Sequence, residues 1–93
     1  MKKIKKEKLI KKWILIPISG SVTRREEWDD YKWEVKNILD KYKIKHGNVV
    51  KTRNGDLHVR IYFLLKNKAI LKKIENEMEN EINDIAGDIE FSD

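Results

Sequence analysis

The sequence, 93 residues long, predicts a single α+β domain in which two helices cover one face of a four-stranded antiparallel sheet. Three observations support this prediction. Apolar residues recur at helical spacing in two segments, and they alternate with polar residues in segments that are typical of strands. An Asn-Gly pair also separates two of the alternating segments, as the turn of a β-hairpin does.

The first predicted strand is the apolar run at residues 13–18, which a Ser-Gly-Ser loop follows. We expect Ile14, Ile16 and Ile18 to face the core, because side chains alternate between the two faces of a strand. Pro17 has no backbone N–H to donate to a neighbouring strand. The strand is therefore expected to end or to bulge at Pro17.

The first predicted helix begins near Thr23, which stands three residues before Glu26 in the pattern of a capping box. Gly47 is suited to the left-handed residue that ends a helix. Trp33 falls on the polar side of this helix, and an exposed tryptophan indicates an interface. The apolar stripe that is expected to face the core consists of Trp28, Tyr31, Val35, Ile38, Leu39 and Tyr42.

The hairpin joins predicted strands at residues 49–53 and 57–65 through Asn54-Gly55, two residues that tolerate positive φ. Apolar and polar residues alternate cleanly in the second of these strands. One face is expected to hold Leu57, Val59, Ile61, Phe63 and Leu65, and the other face His58, Arg60, Tyr62 and Leu64.

A second helix is predicted after Asn67, which can cap its first turn, and Gly87 is expected to end it. A short closing strand at residues 88–92 is expected to turn Ile89 and Phe91 inward. The apolar stripe of the helix consists of Ile70, Leu71, Ile74, Met78, Ile82 and Ile85.

The element order strand, helix, strand, strand, helix, strand resembles the ferredoxin-like βαββαβ sandwich, in which both helices pack on one face of a four-stranded antiparallel sheet. The resemblance covers residues 12–92 and depends on element order alone. We therefore predict a ferredoxin-like domain at residues 12–93, preceded by a basic N-terminal arm at residues 1–11. Because many functions occur on this fold, the fold does not by itself indicate one.

Positive charge is concentrated at the start of the chain. Residues 1–47 carry 14 basic and 7 acidic side chains, whereas residues 48–93 carry 7 and 9. An arm rich in lysine favours a polyanionic partner, because neutralised phosphates release their counterions. The charged fraction of 40% also resembles that of thermophilic proteins, whose surfaces are rich in ion pairs.

The composition excludes several classes of function. The chain has no cysteine, which excludes disulfides, iron–sulfur clusters and thiolate chemistry, and two histidines are too few for a dedicated metal site. No apolar run is long enough to cross a membrane and no secretory leader is apparent, so we expect a cytoplasmic protein. No acid–base pair or nucleophile stands out, so neither an enzyme nor a cofactor is expected.

The uncovered face of the sheet is the strongest candidate site. It resembles the base-binding face of RNA recognition motifs, where rings stack on bases and basic side chains hold phosphates, although their Lys/Arg-Gly-Phe-Gly-Phe pattern is missing. We therefore expect a non-enzymatic protein that binds RNA or DNA. The expected contacts are Lys2, Lys3, Lys5, Lys6, Lys8, Lys11, Lys12, Trp13, Arg24, Arg25, His58, Arg60 and Tyr62.

The alternative is a homodimeric accessory or adaptor protein. Large apolar side chains on the uncovered face favour packing against a second copy, because soluble proteins rarely leave such patches in water. The expected interface residues are Trp13, Leu15, Trp33, Tyr62 and Leu64.

Overall fold

The computed structural model describes residues 8–93 of the chain. Within this range the protein is α+β, with two α-helices, one short 3₁₀ helix and an antiparallel sheet of five strands. The elements are β1 (Leu9–Pro17), α1 (Arg25–Lys41), β2 (Lys45–His46), β3 (Val50–Lys51), β4 (Asp56–Leu64), the 3₁₀ helix (Leu65–Asn67), α2 (Ile70–Glu81) and β5 (Glu90–Ser92). The predicted class, two helices with an antiparallel sheet, is confirmed, but the sheet has five strands rather than four.

The fifth strand arises because one edge of the sheet is interrupted. The sequence predicts one strand at residues 49–53, whereas β2 and β3 both pair with β4 and are separated by residues 47–49. Between the two short strands, the Gly47 N–H donates to the Arg60 carbonyl at 2.9 Å. This hydrogen bond keeps the interrupted edge attached to β4.

β1 lies inside the sheet, whose order is β2-β4-β1-β5 with β3 also on β4. It pairs with β4 along its whole length, from Leu9 to Pro17. The strand ends at Pro17, as the missing N–H predicts, and Ile18 makes only an isolated bridge. It begins earlier than the sequence predicts, so residues 9–11 of the expected arm belong to the sheet.

The core lies between one face of the sheet and the two helices. The alternation predicted for β1 and β4 is confirmed, with one exception. Leu65 is 48% exposed, because the chain leaves the strand for the 3₁₀ helix at this position. The buried side chains are Ile14, Ile16, Ile18, Val22, Trp28, Val35, Ile38, Leu39, Ile44, Leu57, Val59, Ile61, Phe63, Leu71, Ile74, Met78, Ile82 and Ile89. The partly buried side chains packed against them are Ile10, Tyr31, Tyr42, Val49, Ile70, Ile85 and Phe91.

α1 begins without the capping box predicted at Thr23 and Glu26, so that prediction is wrong. The N-cap is Arg24, whose carbonyl accepts a hydrogen bond from the Trp28 N–H, and no side chain caps the first turn. The loop before the helix is instead closed by the Trp28 indole N–H, which donates to the Val22 carbonyl at 3.2 Å. Both side chains are buried, so packing determines where the helix begins.

α1 ends at a left-handed residue, but this residue is Lys43 and not Gly47, so the predicted stop is wrong. Lys43 has a φ of 58°, a conformation that glycine most often supplies at this position. Its N–H donates to the Asp40 carbonyl at 3.0 Å, and the Ile44 N–H donates to the Leu39 carbonyl at 2.9 Å. This is the Schellman pattern. Because Ile44 and Leu39 both belong to the core, the helix ends where Ile44 can enter it.

Lys43→Gly is expected to raise the free energy of unfolding by up to about 1 kcal/mol, because glycine adopts the left-handed conformation without steric cost. Gly47→Ala is the matched control and should change stability little, since its φ is not positive and a β-carbon there meets nothing within 4 Å. Urea unfolding of both variants measures the difference. A Lys43→Gly variant less stable than the parent would contradict the assigned helix end.

The predicted hairpin between β3 and β4 is confirmed, but its turn differs from the prediction. Of the pair Asn54-Gly55, only Gly55 has a positive φ, at 84°. The Gly55 N–H donates to the Thr52 carbonyl at 3.2 Å, and the Thr52 N–H donates to the Asp56 carbonyl at 2.8 Å. The loop is therefore a type I turn followed by a glycine bulge, rather than a two-residue turn with two left-handed residues.

α2 is shorter than predicted at both ends. Asn67 lies in the 3₁₀ helix, and the N-cap of α2 is Ala69, which has no capping side chain. The helix ends at Glu81, well before Gly87, because Ile82 becomes extended while remaining buried. The predictions of Asn67 as the cap and Gly87 as the stop are both wrong.

Candidate functional site

We call the face of the sheet that points away from the helices the open face. None of its residues is fully buried, whereas the alternate residues of β1 and β4 include the most deeply buried side chains of the core. The open face consists of Leu9, Lys11, Trp13, Leu15 and Pro17 of β1, Lys45 of β2, Val50 of β3, Asp56, His58, Arg60, Tyr62 and Leu64 of β4, and Glu90 and Ser92 of β5.

The centre of the open face is a cluster of Trp13, His58 and Arg60. Trp13 lies directly opposite Arg60 in the pairing of β1 with β4, and the guanidinium carbon is 4.3 Å from the centre of the indole ring. The His58 ring stacks on the same indole, with ring centres 4.1 Å apart and planes 21° from parallel. The Nε of Arg60 is buried and has no hydrogen-bond partner among the described residues. The sheet thus holds a cation over an aromatic ring with part of its donor capacity unused.

One end of the open face carries Tyr62 between two lysines. Lys11 of β1 and Lys45 of β2 are the direct cross-strand neighbours of Tyr62. The Lys45 ammonium lies 5.9 Å from the centre of the Tyr62 ring. The two carboxylates of the open face, Asp56 and Glu90, lie toward the end of the sheet where β4 begins. Positive charge is therefore concentrated around Tyr62.

The cations of the open face form no ion pairs within the part of the chain that the structure describes. Lys11, Lys45 and Arg60 therefore remain available to an external anion. Many of the other basic side chains are paired with carboxylates, and none of these pairs uses a cation of the open face. The pairs are Lys12–Asp93, Arg24–Glu26, Lys32–Asp29, Lys36–Asp40, Lys41–Glu77 and Lys72–Glu75.

Several titratable side chains on the helix side form hydrogen bonds that join one element of the fold to another. Hydrogen bonds from Lys41 and Tyr42 hold the pKa of the Glu77 carboxyl below its usual value, and the same contact raises the pKa of Lys41. The Tyr31 hydroxyl donates to the Asp84 carboxylate, and this hydrogen bond together with burial raises the pKa of Tyr31 to about 12. These contacts join α1 to α2 and to the segment that follows α2, so they hold the helices in place beneath the sheet.

The structure brings five of the predicted nucleic-acid contacts together on the open face. These five are Lys11, Trp13, His58, Arg60 and Tyr62. Lys8 is exposed and directly precedes β1, at the Tyr62 end of the sheet. The predicted contacts Lys2, Lys3, Lys5 and Lys6 lie outside the described residues.

The structure places three of the predicted contacts away from the open face. Lys12 alternates with Lys11 along β1, and its ammonium donates to the Asp93 carboxylate at 2.7 Å. Arg24 and Arg25 lie at the start of α1, on the helix side of the sheet. The sheet itself separates these three side chains from the cluster at Trp13.

The predicted interface residues divide in the same way. Trp13, Leu15, Tyr62 and Leu64 share the open face, whereas Trp33 lies on α1 and is 61% exposed. Trp33 borders a groove of about 380 Å³ between α1 and residues 46–49. A partner bound to the open face would not reach Trp33.

Lys45 is the functional candidate that sequence reasoning missed, because no strand was predicted between the first helix and residue 49. A signal was present, since Ile44 is apolar between two lysines and is buried in the structure. This alternation is typical of a strand. A two-residue strand is nevertheless too short for periodicity alone to identify it.

No protein-family model, curated protein or solved structure matches the chain. No helix among the described residues is long and apolar enough to cross a membrane. Within residues 8–93, no three histidine, aspartate or glutamate side chains gather where they could hold a metal ion. The geometry of the open face is therefore the basis for inferring a function.

Proposed function

We propose that this protein binds nucleic acid, without catalysing a reaction, through the open face and the lysine-rich segment that precedes β1. One observation carries the proposal. The cations Lys11, Lys45 and Arg60 lie beside aromatic rings on one face of the sheet, and no carboxylate of the described residues pairs with them. Nucleic acids present both of the groups that such a surface recognises, phosphates and flat bases.

The phosphate contacts are assigned to the basic end of the open face. Lys11 and Lys45 flank Tyr62 there, and β1 begins at Leu9 on the same side. The four lysines at positions 2–6 are joined to the sheet through Lys8 at this end. A nucleic-acid backbone held here lies beside Lys8, Lys11 and Lys45, and the counterions it releases strengthen binding of any sequence.

We also propose that the fold is ferredoxin-like. If β2 and β3 are counted as one interrupted edge strand, the elements follow the order βαββαβ, with the first and third strands side by side inside the sheet. Both helices then cover one face and leave the other open. This arrangement supports the use of the open face for binding, although the fold alone does not indicate the ligand.

Affinity for a nucleic acid is expected to fall steeply with salt, with a slope of roughly −0.7 to −0.9 in log–log form for each phosphate contact. Lys11→Ala should weaken binding and reduce the slope by about one contact. Lys73→Ala is the matched control, because Lys73 lies on α2 and forms no ion pair among the described residues. Fluorescence anisotropy across a salt series measures both slopes. Affinity that does not change with salt, or equal effects of the two variants, would contradict the proposal.

A homodimer that buries the open face is the second candidate, because Trp13, Leu15 and Leu64 place apolar surface beside the cations. In a two-fold dimer with its axis along the strands, the basic ends of the two copies would meet, and like charges brought together in this way oppose association. With its axis across the strands, the basic end of each copy would instead lie on Asp56 and Glu90 of the other. Light scattering at high protein concentration distinguishes the two candidates, since a monomer is expected if the open face is reserved for nucleic acid.

A further inference from the structure

We infer that the ligand of the open face is single-stranded nucleic acid, one base of which stacks on the ring of Tyr62. This inference rests on the proposed function and specifies its substrate class. It is carried by three observations: the availability of each ring on the open face, the width of the sheet and the placement of lysines around Tyr62.

The rings of the open face differ in how far the protein already uses them. Trp13 makes two stacking contacts within the protein, with the His58 ring at 4.1 Å and the Arg60 guanidinium at 4.3 Å. Tyr62 is half-buried and stacks on no other ring among the described residues, and its one ring contact is with the Lys45 ammonium at 5.9 Å. Trp13 therefore supports the surface, and Tyr62 is the ring that can receive a base.

The width of the open face disfavours a duplex. At Tyr62 three strands, β2, β4 and β1, lie side by side and span about 10 Å before the strand backbones and side chains are given their own width. The major groove of B-DNA is about 12 Å wide and admits a helix or a two-stranded ribbon. A duplex can therefore touch this sheet only with its phosphates, and its bases, stacked on one another, cannot reach Tyr62. A single strand can turn a base onto the ring.

The lysines around Tyr62 suit a stacked nucleotide. Lys11 and Lys45 lie on the two strands beside β4, each about 5 Å from Tyr62 along the sheet. Arg60 is two residues away on the same face of β4, where its guanidinium lies over the Trp13 ring and its Nε is buried. A base on Tyr62 thus places its flanking phosphates within reach of cations that have no carboxylate partner in the described chain.

The test compares a labelled single strand of mixed sequence with the duplex formed from it and its complement, in anisotropy titrations at one salt concentration. Both a DNA and an RNA version of the strand are used. The parent protein is expected to bind the single strand at least ten times more tightly than the duplex. Tyr62→Ala should weaken single-strand binding by roughly 5- to 150-fold, the effect of losing one stacked base, and should leave duplex binding unchanged. Tyr62→Phe, which keeps the ring, should bind like the parent.

The outcomes separate failure of the inference from failure of the proposed function. Binding of neither single strand nor duplex would overturn the proposed function. Equal binding of both, with equal effects of Tyr62→Ala on each, would leave nucleic-acid binding in place and overturn the inference. The comparison of strand with duplex uses the unaltered protein, so it decides the question even if Tyr62→Ala fails to fold.

Discussion

Leu57→Ala is expected to lower the free energy of unfolding by about 2–5 kcal/mol, the usual cost of truncating a fully buried leucine. Leu57 is 0% exposed and points from β4 toward the helices, so the cavity left by three missing carbons lies within the core. Urea unfolding followed by circular dichroism measures the loss. For a small domain, a loss of this size is a large fraction of the total stability.

Leu65→Ala supplies a control of identical chemistry. Leu65 follows β4 directly but is 48% exposed, so the same truncation there is expected to cost less than about 1 kcal/mol. The pair compares one leucine on the buried face of β4 with one that the alternation of the sequence had wrongly placed on that face. Similar losses in the two variants would contradict the position at which the structure ends β4.

The double variant Lys11→Glu/Lys45→Glu is expected to weaken nucleic-acid binding by roughly 50-fold or more at about 0.1 M salt. Affinity varies with the salt concentration to the power of about −0.9 for each phosphate contact, so each contact strengthens binding about 8-fold at this concentration relative to about 1 M salt. Reversing the two charges removes both contacts and adds repulsion next to Tyr62. Competition against a labelled oligonucleotide measures the change.

Lys72→Glu/Lys73→Glu is the matched control, since it changes the net charge by the same amount but on α2. It is expected to weaken binding only through the general loss of charge, by less than the first double variant. Circular dichroism establishes that both proteins are folded. Equal losses in the two double variants would mean that net charge, and not the open face, determines the affinity.

The long strands could be predicted from the sequence because their signal is local. Side chains alternate strictly in β4, so the set beginning with Leu57 and the set beginning with His58 were assigned to the correct faces before any pairing was known. Pro17 likewise marked the end of β1, because a residue without an N–H limits a strand wherever it stands.

The ends of the helices could not be predicted, because packing decides them. Thr23 and Glu26 have the spacing of a capping box, yet the buried contact of Trp28 with the Val22 carbonyl fixes the start of α1. At the other end Ile44 has to be buried, which brings the left-handed residue forward to Lys43. In both cases a local preference of about 1 kcal/mol is outweighed by burial of a large side chain.

The candidate site was predicted in part for the same reasons. Alternation placed Trp13, Arg60 and Tyr62 on one face, but the register that sets Trp13 opposite Arg60 depends on the pairing of distant strands. Ion pairs such as Lys41–Glu77 join residues 36 positions apart, so the sequence could not show which cations would remain unpaired. The absence of a carboxylate partner for Arg60 among the described residues, which supports the proposed function, is a property of the folded chain.

The most direct measurement of the central claim uses the three tryptophans as reporters, by recording their indole N–H signals in NMR spectra during titration with a single strand. Trp13 lies on the open face, Trp28 is buried on the helix side and Trp33 is exposed on α1. Binding through the open face is expected to shift the Trp13 signal and to leave those of Trp28 and Trp33 in place. A shift confined to Trp33, or a titration in which Trp13 does not move while the ligand binds, would contradict the assignment of the open face as the binding site.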